Sequence, residues 1–339
     1  MTLKKKVLFV VPCKRYCRSF MQWDRDLLKQ EFDVRVVNVC LDAYDVKGTL
    51  ATPSRLIAGV AWADAVFCWF ASREAFAGTA LSQLYGKKTV VVVGGADVTT
   101  LSDIGYGAAL RPIWRFYSNY VLNKATKLLP YSKEAEKRVL ERLNDTAKTE
   151  LIYLGIDVNI FKPSDTKRKN RVVTVGNVNR RNLQRKGLET FVKSAVYLPD
   201  VEFLLVGQIV DDSVDYLRSI ASKNVTFKGF LPKSELIRCY QEANVYVQVS
   251  AHEAFGVAVA EAMACECVPL VTGNGSLPEV VGDTGVYVTY GDPVATAEGI
   301  QKALESDKGR MARQRIEKMF TLKRRQEALV KTITNLLEN

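Results

Sequence analysis

Short apolar runs alternate with longer amphipathic segments along the first half of the chain. The runs are rich in β-branched residues and have the length of strands, whereas the segments between them are long enough for helices. Some runs, such as VVVV before Gly94, are apolar at every position, as in parallel strands that helices cover on both faces. The pattern predicts strands at residues 7–11, 34–39, 65–68, 89–93, 127–129 and 151–154, with helices such as 21–30 and 113–124 between them.

The alternation stops once and then resumes. Residues 161–170, FKPSDTKRKN, are polar, include a proline and have no periodicity, so we predict a linker there. Strands are predicted again at residues 172–175, 202–206, 225–227, 245–249, 268–271 and 286–288. We therefore predict an α/β fold of two Rossmann-like, doubly wound parallel-sheet domains, at residues 1–160 and 161–320. A helix follows at 321–339, and periodicity leaves open whether it returns to the first domain.

Composition and missing motifs exclude several classes of protein. The chain is 47% hydrophobic, which argues against disorder, and its longest apolar stretch falls short of the ~20 residues of a spanning helix. The apolar run near the N-terminus is also too short for a signal peptide, so we expect a soluble, cytoplasmic protein. A P-loop motif is missing, and Pro278 stands where a dinucleotide-binding fingerprint starting at Gly273 needs its third glycine. The single histidine, His252, provides little for a zinc site.

The net charge of +11 is concentrated in the first half. Residues 1–160 carry 23 Lys and Arg against 16 Asp and Glu, and residues 161–339 carry 25 against 21. A basic N-terminal half attracts an anionic acceptor, an anionic membrane surface or nucleic acid, or it contributes nothing beyond solubility. The charge alone does not decide among these alternatives.

The first chemical constellation is HEAFGVAVAEAMA at residues 252–264. It follows a predicted strand, and Gly256 begins a helix whose first N–H groups lack intrahelical partners and suit an anion. Glu253 precedes this helix and Glu261 lies inside it among alanines, where a carboxylate should not be buried without a partner. The structural alternative is that Glu261 is a solvated helix residue and Glu253 a turn residue.

The second constellation is NVNRRNLQRKG at residues 177–187, after a predicted strand and Gly176. Arg185 and Lys186 stand at the start of the next predicted helix, where positive charge opposes the helix dipole unless an anion binds there. Arg180 and Arg181 add planar donors suited to phosphate. The alternative is a solvated basic loop.

With these motifs the sequence resembles the retaining glycosyltransferases of family 4, closely over residues 150–320 and more weakly before them. The matching elements occur in order: LGIDVNIFKP at 154–163, Gly176 with the basic loop through Lys186, LLVGQ at 204–208, VTFKGFLPKSEL at 225–236, EANVYVQVSAHEAFGVAVAEAMA at 242–264, VPLVTGNGSLPEVV at 268–281 and DTG at 283–285. Glu253 and Glu261 match the family's Glu-x7-Glu motif. The resemblance implies the GT-B architecture, in which two Rossmann-like domains face each other across an interdomain cleft.

The resemblance also implies roles for individual residues. Glu253 would hold hydroxyls of the donor sugar and Glu261 those of the ribose. Lys186, with Arg180 or Arg181, would neutralise the diphosphate leaving group of a nucleoside-diphosphate sugar. The remaining donor-binding positions would be Gly176, backbone N–H groups of Phe255, Gly256 and Val257, and the base-binding Phe230 and Leu231.

Cations and helix N-termini would do the work of a metal in such a site. We therefore expect no metal, no cofactor, and a hexosyltransferase-type reaction that retains anomeric configuration through an oxocarbenium-like transition state. Retention is inferred from the resemblance alone.

The sequence departs from the family in the first half. The first strand leads into PCKRYCRSF rather than a glycine-rich loop, so Lys14 and Arg15 either replace backbone contacts to phosphate or take no part. Gly94 stands where the family has a histidine, which leaves Asp97 as either an acceptor-binding residue or a helix cap. Glu266 stands where the family often has glycine.

The sequence thus predicts a glycosyltransferase whose C-terminal domain binds the donor and whose N-terminal domain binds the acceptor. A nucleotide-sugar epimerase of the same architecture and a non-catalytic nucleotide-sugar-binding subunit are the alternatives. The acceptor is a glycan or a lipid-linked molecule, and the lipid-linked one would place the protein peripherally on the cytoplasmic face of an anionic membrane. Nucleic acid is not an expected partner.

Overall fold

The computed structural model describes residues 4–12, 19–39, 46–143, 145–165 and 169–338. The chain divides into two compact units. The first unit is Met1–Gly155 together with Leu322–Asn339, and the second unit is Ile156–Thr321. The C-terminal segment thus belongs to the same unit as the N-terminus.

The first unit contains a parallel five-stranded sheet of order β2-β1-β3-β4-β5. Its strands are β1 (Lys6–Pro12), β2 (Asp33–Val39), β3 (Ala65–Trp69), β4 (Lys88–Val93) and β5 (Lys127–Pro130). Its helices before residue 155 are α1 (Ser19–Glu31), α2 (Val46–Trp62), α3 (Arg73–Leu84), α4 (Pro112–Lys124) and α5 (Lys133–Leu140), with 3-10 turns at Ser102–Ile104 and Ala108–Leu110. Every residue of β3 is buried, because helices cover both faces as its continuous apolar run predicts.

The strand predicted at residues 151–154 is absent. The chain runs beside β5 for a few residues, where Ile152 N–H donates to the Pro130 carbonyl at 2.9 Å, without forming a named strand. The carbonyls of Ile152 and Tyr153 instead accept hydrogen bonds from the guanidinium of Arg325. The strand prediction is wrong at this domain boundary, because the carbonyls of the apolar run are satisfied by a side chain rather than by a neighbouring strand.

The second unit contains a parallel six-stranded sheet of order β11-β10-β9-β6-β7-β8, and all six strands predicted for this half are confirmed. The strands are β6 (Arg171–Val175), β7 (Glu202–Val206), β8 (Val225–Gly229), β9 (Val245–Gln248), β10 (Val268–Thr272) and β11 (Val286–Val288). The helices are α6 (Arg180–Arg185), α7 (Leu188–Ser194), α8 (Ser213–Ile220), α9 (Lys233–Glu242), α10 (Val257–Ala264), α11 (Leu277–Val281), α12 (Pro293–Leu304) and α13 (Gly309–Met319), with a 3-10 turn at Ala195–Tyr197.

The C-terminal helix α14 (Leu322–Glu338) packs on α1 and β4 of the first unit. Its Arg325 is fully buried and forms a two-pronged ion pair with Asp24 of α1, with Nη2 2.6 Å from Oδ2. Since the same guanidinium also bonds the carbonyls of Ile152 and Tyr153, Arg325 joins the C-terminal helix to the segment that leaves the first unit.

Each sheet has one place where the strand order reverses. In the second unit the chain builds β6, β7 and β8 to one side and then returns to place β9 on the other side of β6. Pairing of Val172 with Val245 aligns β6 and β9, so the loops that follow these two strands emerge side by side. In sheets of this class the carboxyl ends at such a reversal bind ligands.

Candidate functional site

The loops after β6 and β9 bring Lys186 and Glu253 together. Lys186 Nζ donates a hydrogen bond to Glu253 Oε1 at 2.8 Å, although the two residues are 67 positions apart in the sequence. Both side chains are largely buried. The two constellations recognised separately in the sequence therefore form one charged site at the reversal point of the second sheet.

Further groups around Glu253 favour its ionised form. Its Oε1 also accepts hydrogen bonds from Ser250 Oγ at 3.2 Å and Gln248 Nε2 at 3.4 Å, and Arg185 Nη1 lies 3.9 Å away. Burial on its own would raise the pKa of Glu253, but the charges of Lys186 and Arg185 and the hydrogen bonds from Lys186 and Ser250 lower it below its ordinary value. The carboxylate is therefore held charged at neutral pH.

Sequence reasoning missed the polar chain that supports Glu253. The hydroxyl of buried Tyr246 donates to Gln248 Oε1 at 2.8 Å, which turns the Gln248 amide nitrogen toward Ser250 and Glu253. The signal was available, because a glutamine inside the apolar strand VYVQ must find partners once it is buried.

Two glycines allow the loops to approach. A Cβ on Gly176 would lie 2.8 Å from Lys186 Cδ, so the lysine side chain runs directly over that glycine. Gly187 has a φ of +65°, and a Cβ there would collide with the carbonyl oxygen of Val249. Gly176 thus makes room for the Lys186 side chain. Its role in binding the donor stays a prediction.

The basic loop contains a helix that the sequence did not predict. Asn179 caps α6 by accepting from the N–H of Asn182, and Arg185 ends α6 with Lys186 as its C-cap. Arg185 and Lys186 therefore stand at the end of α6, where positive charge is favourable, as well as directly before the predicted helix start at Gly187, where it opposes the dipole of α7. Asparagine is a favoured N-cap residue, so Asn179 is the sequence feature that could have predicted α6.

The arginines of this loop lie in different places. Arg180 and Arg181 are exposed at the N-terminal end of α6, and the backbone N–H of Arg180 donates to Asp211 at 3.1 Å. Arg185 lies at the other end, where its guanidinium bonds Asn182 Oδ1 and approaches Glu253. The structure thus brings Arg185 to the Lys186–Glu253 pair, a position that was not assigned to the site from sequence.

Gly256, with a φ of +89°, is the N-cap of α10. The preceding Phe255 is buried and packs edge-on against Phe320 at 5.5 Å, so its side chain belongs to the core and its backbone remains for a ligand. Val257, the first residue of α10, is half-buried. These three residues occupy the helix start that the sequence predicts to face an anion.

Glu261 is buried in α10, so the solvated alternative is wrong. Its Oε2 accepts from the Tyr240 hydroxyl at 3.3 Å, the partner that a buried carboxylate requires. Burial raises the pKa of Glu261 to about 7, against smaller lowering effects of Tyr240 and Lys233. Glu261 therefore titrates near neutrality, unlike Glu253.

The predicted base-binding pair follows β8, at the opposite side of β7 from β6. Phe230 is 74% exposed, which is unusual for a phenylalanine, and Leu231 is half-buried. Both lie at the same edge of the sheet as the Lys186–Glu253 pair, because the strands are parallel.

In the first unit, the Asp97 carboxylate accepts hydrogen bonds from the loops that follow β3 and β4. Its Oδ2 accepts from the N–H of Ala71 at 2.9 Å, and both carboxylate oxygens lie 3.3 Å from the N–H of Gly94. Burial raises the pKa of Asp97 to about 7. It lies in a turn, so the helix-cap alternative is wrong, while acceptor binding stays a prediction. Lys14 and Arg15 lie outside the described residues.

The described residues contain neither a cluster suited to a metal ion nor a helix suited to crossing a membrane. No group of three or more His, Cys, Asp or Glu side chains there is arranged to hold a metal ion, and metal independence stays a prediction. None of the described helices is long and apolar enough to cross a membrane.

Known proteins resemble this chain in sequence and in fold. Residues 156–319 match the model of the family "Glycosyl transferases group 1". D-inositol 3-phosphate glycosyltransferase of Mycobacterium sp. (strain KMS) is 27% identical over 222 residues, which are 59% of this chain and 50% of that protein. The chain therefore spans about half the length of the curated relatives it matches.

Solved structures match the chain over nearly its whole length. HepE from Anabaena, in complex with UDP and glucose, superposes with a TM-score of 0.79 at 18% identity and covers 98% of this chain and 100% of its own. Sucrose-phosphate synthase from Thermosynechococcus elongatus superposes with a TM-score of 0.80 at 19% identity and covers 99% and 100%. The chain therefore has the GT-B fold, and its residues 156–319 match the model of glycosyl transferases group 1.

Proposed function

We propose that this protein is a retaining glycosyltransferase that takes a sugar from a nucleoside-diphosphate sugar held by its second unit. The observation that carries the proposal is the buried Lys186–Glu253 pair at the reversal point of the second sheet, inside the matched glycosyl transferases group 1 domain. The charged carboxylate can accept hydrogen bonds from sugar hydroxyls, and the two cations beside it can bind phosphate, within one hydrogen-bonded cluster.

The cations act on the leaving group. Negative charge grows on the departing diphosphate as the sugar becomes oxocarbenium-like, and the Lys186 ammonium stabilises that charge where it develops. Arg185 is positioned to assist, since it lies 3.9 Å from the same carboxylate. Arg180 and Arg181, which the family resemblance assigns to the diphosphate, stay as exposed alternatives.

Glu253 orients the sugar. Its low pKa keeps it an acceptor of hydroxyl hydrogen bonds, and the Tyr246–Gln248 chain fixes its direction. Backbone N–H groups at the start of α10 bind phosphate or sugar oxygens, and Glu261 accepts from the ribose hydroxyls. A UDP-sugar is the first donor to test, because the HepE structures contain UDP or UDP-glucose.

The acceptor binds the first unit in this proposal. The excess of Lys and Arg in residues 1–160 favours an anionic acceptor. A phospholipid-linked acceptor and an anionic soluble sugar share this chemistry. The curated relative named for inositol 3-phosphate is consistent with a phosphorylated acceptor.

Thermal stability against UDP-, GDP-, ADP- and TDP-sugars tests donor binding. A ligand at 100 times its dissociation constant adds about 2.7 kcal/mol to the free energy of unfolding, which raises the melting temperature. We expect a shift with one nucleotide class, and we expect Lys186→Ala and Glu253→Ala to lose turnover while remaining folded. Lys193→Ala, which removes an exposed ammonium from the same unit, is the matched control and should keep both properties.

Three results would contradict the proposal. Wild-type turnover in Lys186→Ala or Glu253→Ala would remove these residues from the site. Consumption of the donor without any acceptor, with an epimeric nucleotide sugar as product, would indicate the epimerase instead. Donor binding without transfer to any acceptor of a phosphorylated and neutral panel would indicate a non-catalytic subunit.

A further inference from the structure

One surface of the first unit exposes several large apolar side chains. Of the eight large hydrophobic side chains exposed in the described part of this unit, five lie at the C-terminal end of α3, in the 3-10 turn before α4, or on α4. The exposed fraction is 81% for Leu84, 53% for Ile113 and 55% for Phe116. We call this surface the α4 surface and define it by Leu84, Tyr85, Leu110, Ile113 and Phe116.

Helices α3 and α4, which carry most of the α4 surface, lie side by side. The ring of Phe76 on α3 lies 5.7 Å from Phe116 and 4.8 Å from Tyr120, and the Tyr120 hydroxyl donates to Gln83 at 2.8 Å. Gln83 immediately precedes Leu84. On α4, positions 113, 116 and 120 follow the i, i+3, i+7 spacing of one helical face, while the opposite face, with Ser118, Val121 and Leu122, is buried.

The same segment carries positive charge only. No Asp or Glu occurs from residue 104 to 133, whereas Arg111, Arg115, Lys124, Lys127 and Lys133 do. Arg111 and Arg115 are exposed and flank Ile113 along the chain. A third guanidinium, that of Arg73, lies 5.9 Å from the ring of Trp114. Positively charged side chains thus lie next to the apolar and aromatic side chains of this segment.

We propose that the α4 surface binds an anionic lipid bilayer. A helix with apolar and aromatic residues on one face and Arg or Lys at its margins lies in the plane of the membrane interface, with the apolar side chains at the boundary of headgroups and acyl chains. Tyr and Trp favour this region because their rings are amphipathic. Lipid phosphates meet Arg111 and Arg115, and each basic residue near an anionic surface strengthens binding.

Charge favours the bilayer over a second copy of this chain. A symmetric dimer through the α4 surface would gather Arg111 and Arg115 of both protomers in one interface. Because residues 104–133 contain no carboxylate, this segment has nothing to compensate the repulsion. An anionic bilayer supplies the missing negative charge and the apolar phase together.

The inference goes beyond glycosyl transfer, and its test needs no nucleotide sugar. Vesicles of phosphatidylcholine with and without phosphatidylglycerol are sedimented with the full chain at low and high salt. We expect binding only to the anionic vesicles and its loss at high salt, where exposed charges are screened. Failure of vesicle binding would leave the donor assays unaffected, so the two proposals fail separately.

Two variants separate the charge from the apolar contribution. Arg111→Gln/Arg115→Gln should weaken the apparent partition constant by about 30-fold, from about 1 kcal/mol for each basic residue. Ile113→Ser/Phe116→Ser should weaken binding by at least about tenfold while the salt dependence stays. The matched controls are Lys223→Gln/Lys228→Gln and Val196→Ser/Tyr197→Ser, which alter exposed residues of the second unit and should bind as the wild type.

Melting temperatures of all variants verify folding, and the charge variant alters exposed side chains only. Equal binding to neutral and anionic vesicles, or no binding to either, would overturn the proposal. Wild-type binding by Arg111→Gln/Arg115→Gln would overturn it as well. A dimer that Ile113→Ser/Phe116→Ser dissociates, without vesicle binding by the wild type, would assign the surface to a second copy.

Discussion

Replacing Gly176 by alanine displaces Lys186 without removing it. The added Cβ would lie 2.8 Å from Lys186 Cδ, whereas ordinary carbon–carbon contacts are about 3.5–4.0 Å. The lysine side chain must therefore retreat by about 1 Å. Because the obstructing atom belongs to a flexible side chain, and the φ of Gly176 lies outside the left-handed range, we expect the fold to survive. Gly-to-Ala changes of this kind alter stability by about 1 kcal/mol or less.

The effect on the charged pair is larger. At an effective dielectric constant of about 20, unit charges attract by about 6 kcal/mol at the observed 2.8 Å and by about 4 kcal/mol at 4 Å. The retreat thus removes about 2 kcal/mol of attraction between the Lys186 ammonium and an anion in the site, a factor of about 30. If Lys186 stabilises the leaving phosphate, kcat/KM should fall by one to two orders of magnitude, about the effect of a 1 Å misplacement.

Two assays report on Gly176→Ala. Turnover measures the proposed function, and NMR of labelled glutamate measures the pKa of Glu253, which should rise because the Lys186 charge that lowers it moves away. Gly273→Ala is the matched control, since a Cβ there meets nothing within 4 Å. Its turnover, its melting temperature and the pKa of Glu253 should equal those of the wild type.

The double variant Gly176→Ala/Lys186→Ala separates direct from indirect action. If Gly176 acts through Lys186, the double variant should be no slower than Lys186→Ala alone. This role of Gly176 is refuted if folded Gly176→Ala keeps both full turnover and the original pKa of Glu253. It is also refuted if alanine at position 176 slows the Lys186→Ala enzyme further.

Three other outcomes follow from the structure. Glu266 has a φ of +65°, so Glu266→Gly should raise the free energy of unfolding by about 0.5–1 kcal/mol in denaturant titration, whereas Glu266→Ala should not. Burial raises the pKa of Asp97 to about 7. The stability that the Asp97 carboxyl group contributes is therefore complete below about pH 4 and is lost as the pH rises through 7. The melting temperature of Asp97→Asn should therefore decline less than that of the wild type between these values, and parallel profiles would contradict this. Arg325→Met leaves the buried Asp24 carboxylate uncompensated and should cost about 3–5 kcal/mol in chemical unfolding; a loss below about 1 kcal/mol would show that the pair is dispensable.

Local patterning predicted the parallel sheets well, because covering a strand on both faces requires a continuous apolar run. This is why eleven strands were located from sequence, and why the error fell on residues 151–154, where the run lies at a boundary and a guanidinium takes its carbonyls. Glu266 shows a related limit. The sequence shows a glutamate where glycine is usual, but only the backbone angle explains why glycine suits the position.

The sequence by itself determined the fold class and the two constellations that contain Lys186 and Glu253, since both depend on residue types at short spacing. Only the tertiary structure decided that these residues form a pair, that Arg185 accompanies them, and that Glu261 is buried beside Tyr240. The physical reason is strand order. Apolar alternation specifies that β6 and β9 exist, but their adjacency joins residues 67 positions apart and is set by the packing of the whole sheet.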